Sequence, residues 1–404
     1  MGEQALSDVR VLDLTWYIAG PYCTKLLADY GADVIKVERP GAGDPARSMG
    51  PFLGDEPHPE KSGLFLHLNT NKRSITLNLK SDTGKRIFRE LVKDVDVLVQ
   101  SFSPRVMPSL GLAYEELEKL NPRLVMTSIS NFGQTGPYRD FKASELIIYG
   151  MGGAMYCNGL PEREPLKKGD RVIEYQGGVH AADATLVALI AARAQGVGQQ
   201  VDVSLMEMQM GTIDRRMSQL ISYQWNGVPT HRPDPTPGTR FPFGFYPCKD
   251  GYWELSALGP LWERFARMVG RPDLADDPRF CTTLAQIKPE NREAFNALFF
   301  PWSMERTKME CVEAGQAAGV LCGPISTTVD VLADPHFKAR EFWTEIDHPV
   351  TGRLTYPGAP FKSSEVSWKV RRPAPLLGQY NGEVYGALGY TRDDLVKLRE
   401  RGVI

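Results

Sequence analysis

Residues 9 to 38 read VRVLDLTWYIAGPYCTKLLADYGADVIKVE. Val9 to Leu14 is a short apolar run and predicts a strand. Ala19-Gly20-Pro21 punctuates it as a turn. Tyr22 to Tyr30 has helical spacing, with Leu26 and Leu27 on the apolar face, and Gly31 stops it. Ala32 to Glu38 is a second strand. Strand, helix and strand in one short stretch make a β-α-β unit, which predicts a parallel sheet. The first turn lacks G-x-G-x-x-G, so a dinucleotide site is not supported.

The alternation continues downstream. Ser74 to Leu79 predicts a strand, Lys85 to Leu91 a helix, Val95 to Val99 a strand, Tyr114 to Leu120 a helix and Leu124 to Ile129 a strand; residues 40 to 63 read as a surface loop. A second informative stretch, GDRVIEYQGGVHAADATLVALIAARAQGVGQQVDVSLME, covers Gly169 to Glu207. It reads as an acidic residue (Glu174), a tight turn at Gly177-Gly178, a buried helix from Val179 to Ala194, and a strand from Gln200 to Leu205. A carboxylate just before that helix sits where free N–H groups and the helix dipole favour negative charge. Together these elements predict a doubly wound α/β layer over about residues 8 to 205. In such sheets ligands bind beyond the carboxyl ends of the strands, which here carry Arg39, Gln100 to Arg105 and Asn131 to Tyr138.

The chain then becomes helical and Pro-rich, and residues 206–242 read as a linker. Residues 243–325 predict a smaller α+β unit that opens with a hairpin, Phe245 to Cys248 and Tyr252 to Leu255. Its helices are expected at Leu261 to Val269, Asn291 to Leu298 and Lys308 to Ala318. A return segment from 326 to 404 adds strands around Glu345 and Leu354 and a last helix, Arg392 to Arg401.

Composition limits the function classes. The 404 residues are 42% hydrophobic and 24% charged, with a net charge of −2. That balance offers no basic field for nucleic acid. The six cysteines are scattered without a C-x-x-C pair, which argues against zinc or a disulfide framework and for a reducing, cytoplasmic setting. No leader pattern and no bilayer-length apolar run is visible, so no membrane partner is expected.

The chemistry-bearing residues are few. No G-x-S-x-G elbow exists, and the six histidines are dispersed. His180, within the Ala-rich helix, has no neighbour at metal-ligand spacing and reads as a packed or capping residue; no metal is expected. Asp183 lies roughly 13 Å along the helix from Glu174, too far to replace it. Lys72 and Arg73 offer either a phosphate grip or an ordinary surface pair. Asn131 to Pro137 (NFGQTGP) is either a cradle for an acyl group or only a turn.

Several stretches carry a resemblance in their order: VLDLTWYIAGPYCTKLLADYGADVIKVERPGAGDPAR, NTNKRSITLNLKS, DVLVQSFSPRVMPSLGL, NPRLVMTSISNFGQTGPY, GQQVDVSLMEM and ADPHFKAREFW. The chain resembles the class III CoA-transferases, the family that also holds α-methylacyl-CoA racemases and carnitine and formyl-CoA transferases. The resemblance implies a Rossmann-like large domain built from both ends of the chain (1–205 and 326–404). It also implies a smaller inserted domain and two subunits threaded as interlocked rings. It implies an acyl-CoA and a carboxylic acid as substrates, with the CoA thioester as co-substrate and no permanently bound cofactor. Arg39 and the Asn71-Lys72 loop are implied at the nucleotide and phosphates, and Ala19 and Phe102 along the pantetheine arm. Arg105 and Gln134 are implied as further CoA contacts.

The family's reactive aspartate lies four residues before a glycine, and Glu174 stands there, four before Gly178. The implied chemistry is nucleophilic catalysis through a mixed anhydride and an enzyme–CoA thioester. The extra methylene moves the carboxylate by about 1.3–1.5 Å, and a shift on that scale can cost on the order of 10²-fold in rate. The family's Asn-Phe-Arg-Pro-Gly loop reads Ser101-Phe102-Ser103-Pro104-Arg105 here. Its Asp after the Gly-rich turn is Glu145, and Ser144 replaces the histidine base of the racemases, which argues against racemisation. Three readings stay open: an active transferase using Glu174; a weakly or non-catalytic subunit of a heteromer, as in the benzylsuccinate CoA-transferases, whose sister supplies the aspartate; and a CoA-ester isomerase or binding protein. The chain is expected as a homodimer or as a heteromer with a related subunit. Trp16, Tyr17, Tyr149, Tyr156 and Tyr175 are either the walls of a pocket for a bulky acid or core packing.

Overall fold

The structure is a computed structural model that describes residues 4–212, 216–229 and 240–404. The chain divides into two compact units, one of residues 1–155, 167–229 and 341–404, the other of residues 156–166 and 230–340.

The larger unit begins with β1 (Arg10–Leu14), α1 (Ala19–Asp29), β2 (Asp33–Glu38) and β3 (Lys72–Thr76). It continues with α2 (Asp82–Val92), β4 (Val97–Gln100) and β5 (Val125–Ser130). It then runs through α3 (Glu145–Met151), α4 (Val172–Gln195) and β6 (Gln199–Ser204). The six strands form one parallel sheet in the order β3-β2-β1-β4-β5-β6. β1 is central, with Leu12 opposite Ile35 on one side and Leu98 on the other. Apart from Asp13, its buried residues are apolar on both faces because helices cover both faces, the usual setting of an all-parallel sheet. One apolar cluster joins α1, α4 and one face; the other joins α2 and the opposite face. Chain order reverses between β1 and β4, which makes that gap the topological switch point of the sheet.

Local readings shift in three places. Ala19-Gly20-Pro21 is the first turn of α1 rather than a loop, since Pro21 is tolerated where helical N–H groups have no intrahelical partner. The third strand starts two residues earlier than expected and stops at Thr76. There the Asn381 side chain accepts from the Thr76 N–H at 2.9 Å and Tyr385 Oη donates to the Thr76 carbonyl at 2.6 Å. Gly177-Gly178 is not a turn: α4 runs unbroken through it, and both glycines are buried. A Cβ on Gly178 would lie 2.6 Å from the Ala19 carbonyl oxygen and 2.9 Å from Tyr22 Cβ. Gly178 lets α1 and α4 touch along their backbones and Gly177 makes room for the Leu205 side chain; neither bends the chain.

The smaller unit holds a three-stranded antiparallel sheet, β7 (Phe243–Cys248), β8 (Gly251–Ser256) and, from further along the chain, β9. Between them come α5 (Trp262–Met268), α6 (Pro289–Met304) and α7 (Lys308–Ala318), the last opened by a Thr307/Glu310 capping box. β9 (Leu321–Pro324) pairs with β8. Its core is aromatic, built on Phe241, Trp253, Phe265, Phe295 and Phe299. Compactness keeps the chain in this unit up to Arg340, where the sequence reading set the boundary at 325; beyond that point the Lys308–Asp330 ion pair, at 2.6 Å, ties the chain to α7. Of the linker expected over 206–242, helices Leu205–Thr212 and Arg216–Asn226 belong to the larger unit; its Pro-rich centre, 230–239, lies outside the described residues.

The chain then re-enters the larger unit with a hairpin, β10 (Trp343–His348) and β11 (Gly352–Pro357), followed by α8 (Asn381–Ala387) and α9 (Arg392–Glu400). Among the described residues no helix is long and apolar enough to cross a membrane.

Candidate active site

A cleft of about 520 Å³ opens at the carboxyl ends of β1, β4 and β5, on the switch point. The segment after β1 gives it Trp16, Tyr17, Ile18 and Ala19. The segment after β4 gives Ser101 to Arg105, and Asn131 follows β5. Residues 139–143 and Glu174 complete the wall.

The two loops at the switch point are tied to each other and to a buried ionic cluster below. The Trp16 N–H donates to Ser101 Oγ at 2.9 Å, and the Trp16 ring meets Phe102 edge to face at 5.2 Å. The Arg39 guanidinium lies over the Trp16 ring at 4.6 Å, a cation–π contact. Tyr17 is held at φ 65°, a left-handed conformation that disfavours a side chain by roughly 1–2 kcal/mol. Its N–H donates to Asp44 Oδ1 at 3.1 Å. Asp44 is paired with Lys36 at 2.8 Å, and Lys36 Nζ also donates to the Thr15 carbonyl at 2.9 Å. Lys72 joins from β3, with Nζ 3.0 Å from Asp13. These charges are fully buried. Burial alone would push the Asp13 carboxyl up, yet Lys36, Lys72 and the hydroxyls of Thr15 and Thr24 draw it down to about 2. Burial takes Lys72 down to about 8, against the pull of Asp13. Charges at strand-interior positions (Asp13 in β1, Lys36 in β2) are the sequence signal of such a cluster, because charged residues in a sheet buried on both faces must be paired.

Glu174 sits in the first turn of α4. Its backbone N–H donates to Glu145 Oε2 at 3.3 Å, so the Glu145 carboxylate supplies the N-terminal acceptor that no capping side chain provides. Lys167 Nζ pairs with Glu145 Oε1 at 2.9 Å. Arg171 Nη1 stands 3.6 Å from Glu174 Oε1, and Glu174 Oε2 is buried without a hydrogen-bond partner. Burial is the largest influence on the Glu174 carboxyl and raises its proton affinity. Arg171 pulls it down, Glu145 pushes it up and Lys167 pulls it down, with the net result above the ordinary glutamate range.

The cleft gathers Glu174, Ala19, Phe102 and Arg105. Arg39 stands behind Trp16, one side chain back. Gln134 faces a neighbouring cleft of about 520 Å³, whose wall of Arg105 and Arg139 is shared with the first. The Asn71 and Lys72 side chains lie outside the cleft and are engaged within the fold. Lys72 is spent on Asp13, Asn69 and the Pro21 carbonyl. Asn71 bonds Asp29 and the Lys369 carbonyl and accepts from the Arg371 and Arg372 N–H groups, so it pins the returning C-terminal segment. Of the aromatic residues, Trp16 and Tyr17 line the cleft, Tyr149 is wholly buried, Tyr175 packs on Tyr22 and Tyr156 belongs to the smaller unit. Sequence reading missed the Arg105–Asp140–Arg139 clamp, in which Asp140 accepts from both guanidinium groups at 2.7–3.0 Å. Nothing in the spacing of those residues announces it.

The family model described as CoA-transferase family III matches residues 6–381. The chain belongs to CoA-transferase family III. It is 36% identical over 402 residues to succinyl-CoA–D-citramalate CoA-transferase of Chloroflexus aurantiacus, covering 99% of this chain and 98% of that one. It is 32% identical to the succinyl-CoA:(R)-benzylsuccinate CoA-transferase subunit BbsE of Thauera aromatica, covering 99% and 98%. Among solved structures it resembles a CAIB/BAIF family protein from Brucella suis, with TM-score 0.84 and 31% identity over 96% of this chain and 100% of that one. The expectation of a class III CoA-transferase is met, and so is that of a Rossmann-like parallel sheet.

Proposed function

We propose that this enzyme moves CoA from an acyl-CoA to a carboxylic acid with Glu174 as nucleophile. The observation that carries the reading is the Glu174 carboxyl itself. It lines the switch-point cleft with one oxygen buried and without a hydrogen-bond partner. A Glu174 oxygen attacks the acyl carbonyl; the C–S bond breaks and sulfur leaves with the electron pair as CoA thiolate, giving a mixed anhydride. The thiolate then attacks the Glu174 carbonyl carbon, the donor acid leaves as a carboxylate, and CoA rests on Glu174 as a thioester. The acceptor carboxylate reverses the two steps, so no proton is consumed overall. The uncapped first turn of α1 borders the same cleft at Ile18 and Ala19. Its free N–H groups supply the positive end of a helix dipole for the oxyanions of both additions. Phe102 and Trp16 would flank the pantetheine arm, with Arg39, Arg105 and Gln134 toward the nucleotide, on the larger unit.

A second reading draws on the BbsE relative, which is named as a subunit, and on the serines at 101 and 103. In it the chain assembles with a related subunit that carries an aspartate. In either reading two chains would interlock as rings. Intact-protein and peptide mass spectrometry after incubation with succinyl-CoA, then acetyl-CoA, tests the nucleophile. The expected result is a CoA thioester, trapped by hydroxylamine, on the Glu174 peptide. The Glu174→Asp variant separates the readings: lost activity marks a site adapted to glutamate, whereas a large gain marks a passive subunit. A chain that binds the ester yet never acquires an adduct overturns the proposal.

A further inference from the structure

Four charges surround the first turn of α4. Glu174 has Arg171 at 3.6 Å and Glu145 has Lys167 at 2.9 Å, so each carboxylate carries one cation and the set is neutral. The two cations differ in commitment. Lys167 Nζ stands close to Glu145 and also donates to the Lys168 carbonyl at 2.9 Å. Arg171 stands farther from its partner, and its pull on Glu174 is chiefly Coulombic. Its side chain is 40% exposed, free to turn without disturbing the core.

We infer that Arg171 is the receptor for the free acid's carboxylate during transfer, an inference that rests on Glu174 being the nucleophile. The argument is charge conservation. In the anhydride and in the enzyme–CoA thioester, Glu174 is an acyl group and carries no charge. Beside the anhydride the charge rests on the freed CoA thiolate; in the thioester, once the donor acid has left, Arg171 has no anion, while Glu145 stays matched to Lys167. The uncompensated positive charge stands next to the reacting carbonyl. Two carboxylates pass that point: the donor acid as it is expelled by the thiolate and the acceptor acid as it attacks the thioester. Each restores neutrality only while Glu174 is covalently occupied. The planar guanidinium fork matches the two oxygens of a carboxylate. Neutral water and alcohols bring no such charge, so the same residue favours acids over hydrolysis. When the acceptor leaves as a thioester, Glu174 regains its charge and takes Arg171 back. Arg171 thus changes partner twice per cycle, and the site admits a carboxylate when it can use one.

The test needs no knowledge of the physiological acceptor. The full chain is incubated with succinyl-CoA and carbon-13-labelled succinate, and label entering succinyl-CoA is followed by mass spectrometry, alongside the CoA adduct on the Glu174 peptide. In Arg171→Ala the KM for free succinate is expected to rise on the order of tenfold to a hundredfold, the effect of losing one charge-assisted contact. The adduct still forms at saturating succinyl-CoA. Arg171→Lys, which keeps the charge but not the fork, is expected to lie between. An unchanged KM for succinate in Arg171→Ala, with the adduct present, overturns this inference and leaves the nucleophile reading intact. An unaltered chain that forms no adduct from succinyl-CoA or acetyl-CoA overturns both.

Discussion

Gly178→Ala adds one methyl group to the middle of a helix, and in most helices that is stabilising. Here two effects oppose each other. Alanine's helix propensity gains about 0.8–1 kcal/mol over glycine. Against it, the new Cβ would stand 2.6 Å from the Ala19 carbonyl oxygen and 2.9 Å from Tyr22 Cβ, closer than the 3.0 Å that real Cβ atoms respect. The first of those atoms is backbone, in the opening turn of α1, and cannot rotate away. α1 and α4 must separate, and overpacking of this kind costs about 1–3 kcal/mol. The net expectation is a loss of roughly 0–2 kcal/mol. Gly386, in α8, has no atom within 4 Å of its virtual Cβ. Gly386→Ala should therefore gain about 0.5–1 kcal/mol. Thermal and urea melting of the two variants beside the parent chain reads the signs directly: Gly178→Ala down, Gly386→Ala up. Ala19 borders the cleft, so Gly178→Ala should also slow transfer. Melting of Gly178→Ala above the parent temperature would falsify the close-approach argument, because propensity would then be the only effect present.

Three further outcomes follow from particular side chains. The Glu174 carboxyl holds its proton above the ordinary glutamate range; since the anion is the nucleophile, adduct formation should rise with pH through a midpoint above 4.5, and Arg171→Ala should move it higher, measured by quenched-flow mass spectrometry. Asn71→Ala removes the clamp on the 369–372 segment from a residue at φ 68°. About 2–4 kcal/mol should be lost, with earlier protease cleavage in the C-terminal segment on timed digestion. Asp13 has a depressed folded pKa, so its contribution is full above about 3.8 and is lost as pH falls toward about 2. Asp13→Asn should lose about 3–5 kcal/mol at neutral pH, as for a broken buried pair, and should flatten the acid limb of a pH-melting curve.

The sheet was legible because apolar runs and Gly-broken turns follow the β-α-β rhythm, and the strand ends point to residues 101–105 and 131, which line the cleft. Three features were not legible, each for a physical reason. Gly177-Gly178 looks like a turn because local sequence cannot distinguish a glycine needed for φ from one needed for close approach. Lys72 reads as a phosphate grip or a surface residue because a basic residue in a polar stretch gives no sign that Asp13, 59 positions away, will pair with it. The Arg105–Asp140–Arg139 clamp depends on two loops meeting across the mouth of the cleft, which is a tertiary event with no periodicity to betray it. Asn71 is a further case: local sequence gives no sign that its side chain ties its loop to the segment at 369–372.

The tie between β3 and the end of the chain sets an order of events during synthesis. β3 is the edge of the sheet. Its outer backbone groups are closed by Tyr380, whose N–H bonds the Ser74 carbonyl, and by Asn381 and Tyr385 at Thr76. Asn381 leaves the ribosome 305 residues after Thr76. At about 5–20 residues per second that interval is roughly 15–60 s. Throughout it, the nascent sheet presents a bare parallel edge, the kind of surface that pairs with other chains. A segment made some 305 residues later therefore caps the first sheet, and a ribosome stalled beyond β6 would hold that sheet with its edge open. Chaperone demand should track this window rather than the length of the protein.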